Sequence, residues 1–477
     1  MTVVTFVANE LCELRGVFDA QRAAFARQPP PYARRLDALR ALDRELTRRQ
    51  HDIAAALEED FGGRAAEETL ALELLPLVNE LRHAARHLKR WMTPRRTGVP
   101  WQLWPARGRI VYQPLGVVGV LGTWNYPFFL TLAPLAGILA AGNHALLKPS
   151  ELAPASAELM RSIVAGLFPP DYVTVITGGP ETAAALTQLP LDHLLFTGST
   201  RVGKIVMKAA SENLVPVTLE LGGKSPAVVH GDYPFETAAT RILAGKLYNA
   251  GQTCVAPDYA LVPLGRAHEF VDAARRAVAR MYPTFAANRD YTRIVNAHHF
   301  RRLSGLVEDA TRHGATVVAM TSPGERYDET NRVFPPTLVT NVDDEMALMG
   351  EEIFGPVLPI VEYENVDAAI AYVNRRPRPL SMYYFDNDGR RVNSVLEQVM
   401  AGGVTVNDCL FHVGAASLPF GGVGASGMGR YHGIHGFRTF SNEKGVLLQS
   451  RWSPLALLRP PYGDQAKRLL NLLMRTR

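Results

Sequence analysis

A chain of 477 residues, 47% hydrophobic and 20% charged, is too long for one core and too apolar for disorder, so two or three soluble globular domains are expected. The net charge of +5 is thin over that length, and Arg and Lys are interleaved with Asp and Glu, which argues against a nucleic-acid partner. Three cysteines, Cys12, Cys254 and Cys409, exclude a disulfide framework and offer no paired ligand spacing; no metal is expected, and a reducing, cytoplasmic setting fits best.

The first residues lack a basic stretch followed by an apolar core, so no signal peptide is expected. From Glu10 to about Trp91 Ala, Leu, Arg and Glu recur at helical spacing. Breaks at Gln-Pro-Pro-Pro and Phe-Gly-Gly predict two or three amphipathic helices there. The cationic Thr-Pro-Arg-Arg-Thr-Gly that follows reads as a solvated loop. From Ile110 short β-rich runs alternate with Ala-rich helical segments: Val117 to Leu121, Ala145 to Leu147, Val173 to Ile176, His193 to Phe196 and Val217 to Leu219. That rhythm belongs to a parallel sheet with crossover helices. Leu130 to Leu147 contains Pro134, Gly142 and His144 and reads as a buried helix running into a strand, so no transmembrane span is expected. A second alternating α/β region covers about Pro226 to Pro419. After Ser441 come a strand-like Gly-Val-Leu-Leu-Gln, a Pro-rich stretch and a short Leu/Arg helix, expected to be packed or frayed rather than laid on a membrane.

Two polar islands suggest covalent chemistry. Cys254 stands in Gly-Gln-Thr-Cys-Val-Ala-Pro, and Glu220 in Leu-Glu-Leu-Gly-Gly-Lys. A thiolate can add to an electrophilic carbonyl, and a carboxylate can activate the water that clears the adduct. A lone cysteine is more often an inert buried hydrophobe, but a loop or helix entry with free amides would favour the thiolate; on the residues alone both readings stand. A Glu at an apolar strand end is uncommon unless it has work there. The strand ending at Phe196 leads into Thr-Gly-Ser-Thr-Arg-Val-Gly, where Gly198 and Gly203 are expected to bracket a strand-to-helix turn suited to a pyrophosphate. Lys148 and Glu151 follow another strand and read equally as a ribose clamp or as a surface ion pair. Cys12 and Cys409 are expected to pack in the core, and His412 and His432 to be hydrogen-bonded structural histidines.

The chain resembles the aldehyde dehydrogenase superfamily, most closely its class 3 and coniferyl aldehyde dehydrogenase branch. The resemblance is carried by Pro-Leu-Gly-Val-Val-Gly-Val-Leu-Gly-Thr-Trp-Asn-Tyr-Pro-Phe, Leu-Lys-Pro-Ser-Glu, Phe-Thr-Gly-Ser-Thr-Arg-Val-Gly-Lys and Leu-Glu-Leu-Gly-Gly-Lys-Ser-Pro, in that order. Gly-Gln-Thr-Cys-Val-Ala-Pro, Gly-Glu-Glu-Ile-Phe-Gly-Pro and Leu-Pro-Phe-Gly-Gly-Val-Gly-Ala-Ser-Gly-Met-Gly-Arg-Tyr-His-Gly follow, so the match spans roughly Gln113 to Ser441. It implies Cys254 as nucleophile, Glu220 as general base and Asn125 as oxyanion-hole amide. It further implies a cofactor set of Thr123, Trp124, Lys148, Glu151, Gly198, Ser199, Gly203, Gly222, Glu352 and Phe354, the last two beside the nicotinamide ribose and ring. NAD is the expected cofactor, with NADP an alternative, because a carboxylate at Glu151 would repel a 2′-phosphate.

The same resemblance implies an α/β fold in three parts. A Rossmann-type cofactor domain would use residues 1–96 and 115–223, and a catalytic α/β domain 224–419. A bridging sheet from 97–114 and 437–450 would join two copies in a homodimer, leaving 451–477 as a tail. The expected reaction is oxidation of an aldehyde to the acid through a Cys254 thioester. Rival readings are a CoA-acylating enzyme, against which Glu220 speaks, and a non-catalytic protein retaining the fold. Trp124, Tyr126, Phe128, Phe129 and Phe411 are candidate walls of an apolar tunnel for aromatic or medium-chain aldehydes, coniferyl aldehyde among them.

Overall fold

Three sheets organise the computed structural model, which describes residues 3–453 and 458–475; residues 1, 2, 454–457, 476 and 477, including parts of the expected tail, lie outside the described residues. The helical start holds more pieces than expected: Val3–Arg27, Tyr32–Arg48, Gln50–Phe61, a short Ala66–Thr69, a π-turn Leu70–Leu74 and Leu75–Met92. The break at Arg49 contains neither Gly nor Pro, so nothing in the spacing announces it. The first sheet pairs β1 (Arg95–Thr97) and β16 (Ser441–Leu448) antiparallel to opposite sides of β2 (Arg107–Pro114). The expected loop at Arg95 and Arg96 is therefore an exposed edge strand.

The second sheet contains β3 (Val117–Leu121), β4 (His144–Lys148), β5 (Val173–Val175), β6 (His193–Thr197), β7 (Val217–Glu220) and the short β15 (Gly427–Met428). Its order is β15-β7-β6-β3-β4-β5, parallel except for β15. Strands β3, β4 and β6 are buried at every residue, which is why they read as continuous apolar runs rather than alternating ones. The chain steps outward from β3 through β4 to β5 and then returns to the other side of β3. That reversal opens a crevice at the carboxyl ends of β3 and β6, where α/β sheets bind ligands.

The third sheet has the order β10-β11-β12-β9-β8-β13-β14. Its strands are β8 (Pro226–Val229), β9 (Tyr259–Pro263), β10 (Thr316–Ala319), β11 (Thr337–Thr340), β12 (Val357–Tyr363), β13 (Ser381–Phe385) and β14 (Gly403–Val406). All pairs are parallel but β10 with β11. The helix Pro127–Ala141 is apolar on every side and buried along its whole length, packed against the helix Leu75–Met92 and the segment Gly433–Thr439. It follows β3 directly and so fixes the turn at 122–126 that opens the crevice.

Candidate active site

Cys254 lies in the connection between the helix Phe235–Leu247 and β9. Of the loop and the helix entry that the sequence allowed, the loop forms: the chain makes a tight turn in which Asn249, Ala250 and Gly251 all have positive φ, at 52°, 50° and 75°. Such a run is costly for the two non-glycine residues and persists only where surroundings over-determine it. Here they do. Asn249 Nδ2 donates to the carbonyls of Asn125 (3.0 Å) and Gln252 (3.1 Å), and Gln252 Nε2 donates to Asn249 O at 2.9 Å and Arg293 O at 3.0 Å. A Cβ on residue 251 would sit 2.2 Å from Gly355 O, so only glycine lets the turn close.

Asn125 follows β3, and one hydrogen of its Nδ2 goes to Gln252 O at 3.0 Å. The second amide hydrogen is thereby aimed by a fixed partner and left free for an incoming oxygen. Glu220 ends β7, fully buried, and neither carboxylate oxygen has a hydrogen-bond partner among the described residues. Burial holds its carboxyl well above the usual range, opposed only by the Arg430 cation. The thiol of Cys254 is also pushed up, by burial and then by the Glu352 and Glu220 carboxylates, despite the backbone amides of Cys254 and Val255. The free-amide argument for a preset thiolate is thus overruled by desolvation.

A cavity of about 500 Å³ gathers these groups. Thr123, Trp124 and Asn125 reach it from the turn after β3, Gly198 and Ser199 from the turn after β6, and Glu220 and Gly222 from the end of β7. Glu352 and Phe354 enter from the loop before β12, so carboxyl ends of one sheet face amino ends of the other across the sulfur. Gly222 matters for contact: a Cβ there would lie 1.9 Å from Glu352 Oε2. Burial and then Asp258 raise the Glu352 carboxyl to about 8, while Lys224 and Lys246 pull the other way.

Three expected residues do not line that cavity. Gly203 is not in the turn but inside the helix Thr200–Ser211, buried against Leu221. Lys148 is buried, and its ammonium lies 3.0 Å from the carboxylate of the exposed Glu151. Arg201, His299 and Arg302, which the motifs did not single out, do line it. His299 and Arg302 belong to the amphipathic helix Ala297–Arg312, where polar residues are ordinarily solvent-facing and carry no signal.

A second cavity of about 340 Å³ reaches Cys254 from the other side, walled by Tyr126, Phe129, Phe411, Phe420 and Val413. Phe128 is fully buried and Trp124 faces the first cavity, so two of the expected tunnel aromatics lie elsewhere. In their place Ala71, Leu72 and Leu75 of the helical start complete the wall. Other expectations also shift. Cys12 is exposed, whereas Cys409 is buried. His412 is held by Ser381 (3.1 Å) and Thr405 (2.8 Å), but neither nitrogen of buried His432 has a hydrogen-bond partner among the described residues; it stacks on Phe420 instead.

The helix Thr200–Ser211 starts at the switch-point crevice, with Ser199 at its cap and the Glu352 carboxylate in the same cavity, a setting in which a phosphate group can be held at the helix start. A crevice of this kind that ends on a thiol and on a buried carboxylate without a hydrogen-bond partner among the described residues is equipped for covalent chemistry at sulfur. Residues 13–446 match the model of the aldehyde dehydrogenase family, and the chain belongs to that family. It is an aldehyde dehydrogenase, oxidising an aldehyde with a nicotinamide cofactor. It is 48% identical over 98% of its length to the "Probable coniferyl aldehyde dehydrogenase" of Pseudomonas aeruginosa, covering 97% of that protein. It is 44% identical to the coniferyl aldehyde dehydrogenase of a Pseudomonas species, over 97% of each chain. Among solved structures, Staphylococcus aureus AldH in its substrate-bound state superposes with a TM-score of 0.91 at 38% identity, over 97% of this chain and 99% of that one. A Mycobacterium tuberculosis aldehyde dehydrogenase complexed with NAD+ gives 0.84 at 29% identity, over 93% and 91%.

Proposed function

We propose that Cys254 is the nucleophile, Asn125 the oxyanion donor and Glu220 the base, and that the substrate is an aromatic aldehyde of the coniferyl type oxidised with NAD. The observation that supports this most is that the sulfur lines two cavities, one with charged and polar side chains such as Arg201, Glu220, Arg302 and Glu352 and one with mainly apolar side chains. The apolar mouth delivers the aldehyde. The polar one fits the dinucleotide, held by Ser199 and the helix start on the phosphate side and by Glu352 beside the ribose, with Phe354 and Trp124 flanking the ring. Aromatic walls and the names of the relatives favour a phenylpropenal over an aliphatic chain.

In this reading the sulfur bonds to the aldehyde carbon and the thiol proton leaves to solvent, a step that does not use Glu220. Negative charge on the carbonyl oxygen is received by the free Asn125 N–H and the Cys254 backbone N–H, each such donor being worth about 3 kcal/mol. When bound, a nicotinamide would supply the hydride acceptor, and loss of the hydride from the adduct carbon leaves a thioester on Cys254. Glu220 then deprotonates water, which attacks the thioester, expels the Cys254 thiolate and releases the acid. A buried carboxyl raised above its ordinary range has the basicity that step needs.

The domain limits 1–96 with 115–223, 224–419, 97–114 with 437–450, and 451–477 are part of the proposal, as is a homodimer formed through the β1–β2–β16 sheet. That sheet leaves one edge open at fully exposed β1 and the other at mostly exposed β16. Three free cysteines agree with a cytoplasmic setting, and among the described residues no helix is long and apolar enough to cross a membrane. The deciding experiment is mass spectrometry of Glu220→Gln enzyme quenched with coniferyl aldehyde and NAD. An acyl mass on the peptide carrying Cys254 is expected; an unmodified Cys254 peptide overturns the assignment. Steady-state rates on phenylpropenal, benzaldehyde-type and aliphatic substrates, with NAD and with NADP, decide substrate class and cofactor.

A further inference from the structure

One buried ion cluster, outside both cavities that hold reactants, touches both halves of the reacting geometry. The Arg64 side chain is fully enclosed, with Nε 3.5 Å from Glu68 and Nη1 3.5 Å from Glu73. Its guanidinium is stacked between the rings of Phe61 (5.1 Å) and Tyr126 (4.9 Å). Nη1 donates to the backbone carbonyl of Asn125 at 3.1 Å, the same oxygen that receives Asn249 Nδ2. Glu68 accepts the backbone N–H of Asn249 at 3.1 Å and the Thr292 hydroxyl at 2.9 Å. Glu73 accepts the backbone N–H groups of Phe128 and Phe129 at 3.0 and 2.9 Å, closing the start of the helix that follows Asn125. Tyr126, under the guanidinium, bonds Thr253 at 2.8 Å, next to the sulfur.

Burying one cation between two carboxylates is expensive and is justified energetically only where geometry and further hydrogen bonds satisfy them. Apart from the Thr292 hydroxyl on Glu68, those bonds end on the backbone of Asn125, of the helix start that follows it, or of Asn249 in the strained turn before Cys254, while Arg64 Nε and Nη2 and Glu73 Oε1 have no hydrogen-bond partner among the described residues. The π-turn Leu70–Leu74 makes this reach possible, directing Glu73 inward while Ala71 and Leu72 face the apolar cavity. We propose that Arg64, clamped by Glu68 and Glu73, is a positioning residue that locks the Asn125 turn to the Asn249–Cys254 turn, so that the oxyanion donor and the nucleophile keep one spacing.

The inference rests on the assignment of Cys254 and Asn125 as reacting groups. The test is a double-mutant cycle on Arg64→Met and Asn125→Ala, read as the rate of the first-turnover burst of reduced cofactor. Arg64→Met alone should slow the burst about 100-fold, the size of effect a misplacement near 1 Å produces. NAD affinity, measured by fluorescence quenching, should stay within about twofold because the cluster is outside the dinucleotide cavity. If Arg64 acts through Asn125, the double variant loses at least about tenfold less than the product of the single losses. A shortfall below tenfold, or Arg64→Met within twofold of the parent, overturns the proposal. Thermal unfolding and near-ultraviolet dichroism establish that the variants are folded. Should Arg64→Met not fold, Arg64→Lys, which keeps the charge without the fork, carries the same cycle under the same criteria. Cys254→Ala is assayed alongside: full activity there would refute the site assignment itself, whatever Arg64 does.

Discussion

At the scale of single residues, the site depends on groups whose ordinary chemistry has been altered by burial. Glu220→Gln removes the base but not the thiol, so a stoichiometric burst of reduced cofactor followed by slow turnover is expected; a steady-state rate equal to the parent would refute the role of Glu220. Asn125→Ala should lower the burst rate by about 100-fold through loss of one oxyanion donor, with Cys254 still alkylated by iodoacetamide. Glu220 and Cys254 were legible in the sequence because a carboxylate at an apolar strand end and a cysteine in a Gly-bearing loop both break local rules. Arg64 was not. An arginine in Phe-Gly-Gly-Arg reads as a surface residue, and its burial arises only when Tyr126 and two glutamates from the next helical turns close over it.

Among the elements, the parallel strands after Val117 were readable to within a residue or two, because strands buried on both faces spell uninterrupted apolar runs. The antiparallel β15 was not, since two residues pairing with Leu219 and Glu220 have no pattern of their own. Close packing between elements gives a direct test of Glu352. Gly222→Ala puts a methyl where its carboxyl group lies, so the KM for NAD should rise about tenfold, the value of one hydrogen bond, with iodoacetamide labelling of Cys254 unchanged. An unchanged KM would remove Glu352 from the cofactor set. A second test concerns Glu80, which ties the helix Leu75–Met92 to Gly433 N at 2.7 Å and is raised by burial to about 7. Its native pKa lies above the unfolded value, so the stability it confers is complete in acid and lost as pH rises toward about 7. The Tm of Glu80→Gln relative to the parent should therefore climb from pH 5 to pH 8; a flat difference would show that Glu80 is not held neutral.

For the whole molecule, two α/β sheets were foreseeable from alternating segments and the small third one from the family resemblance, but which faces meet was not. The wall of the apolar cavity shows why: Leu72 and Phe411 are far apart in sequence and adjoin only through tertiary packing. Light scattering on the purified protein should return twice the chain mass of 52.4 kDa if the open edges of the small sheet pair. A monomer at micromolar concentration would require another fate for those edges.

Because the sulfur lines both cavities, the proposed assignment gives traffic through the enzyme separate doors. The acid can depart toward Phe411 while the spent dinucleotide is still seated, and fresh dinucleotide can arrive while an aldehyde waits. Neither molecule has to queue behind the other, and an electrophile shaped for the aromatic entrance would brand the thiol without competing for the nucleotide.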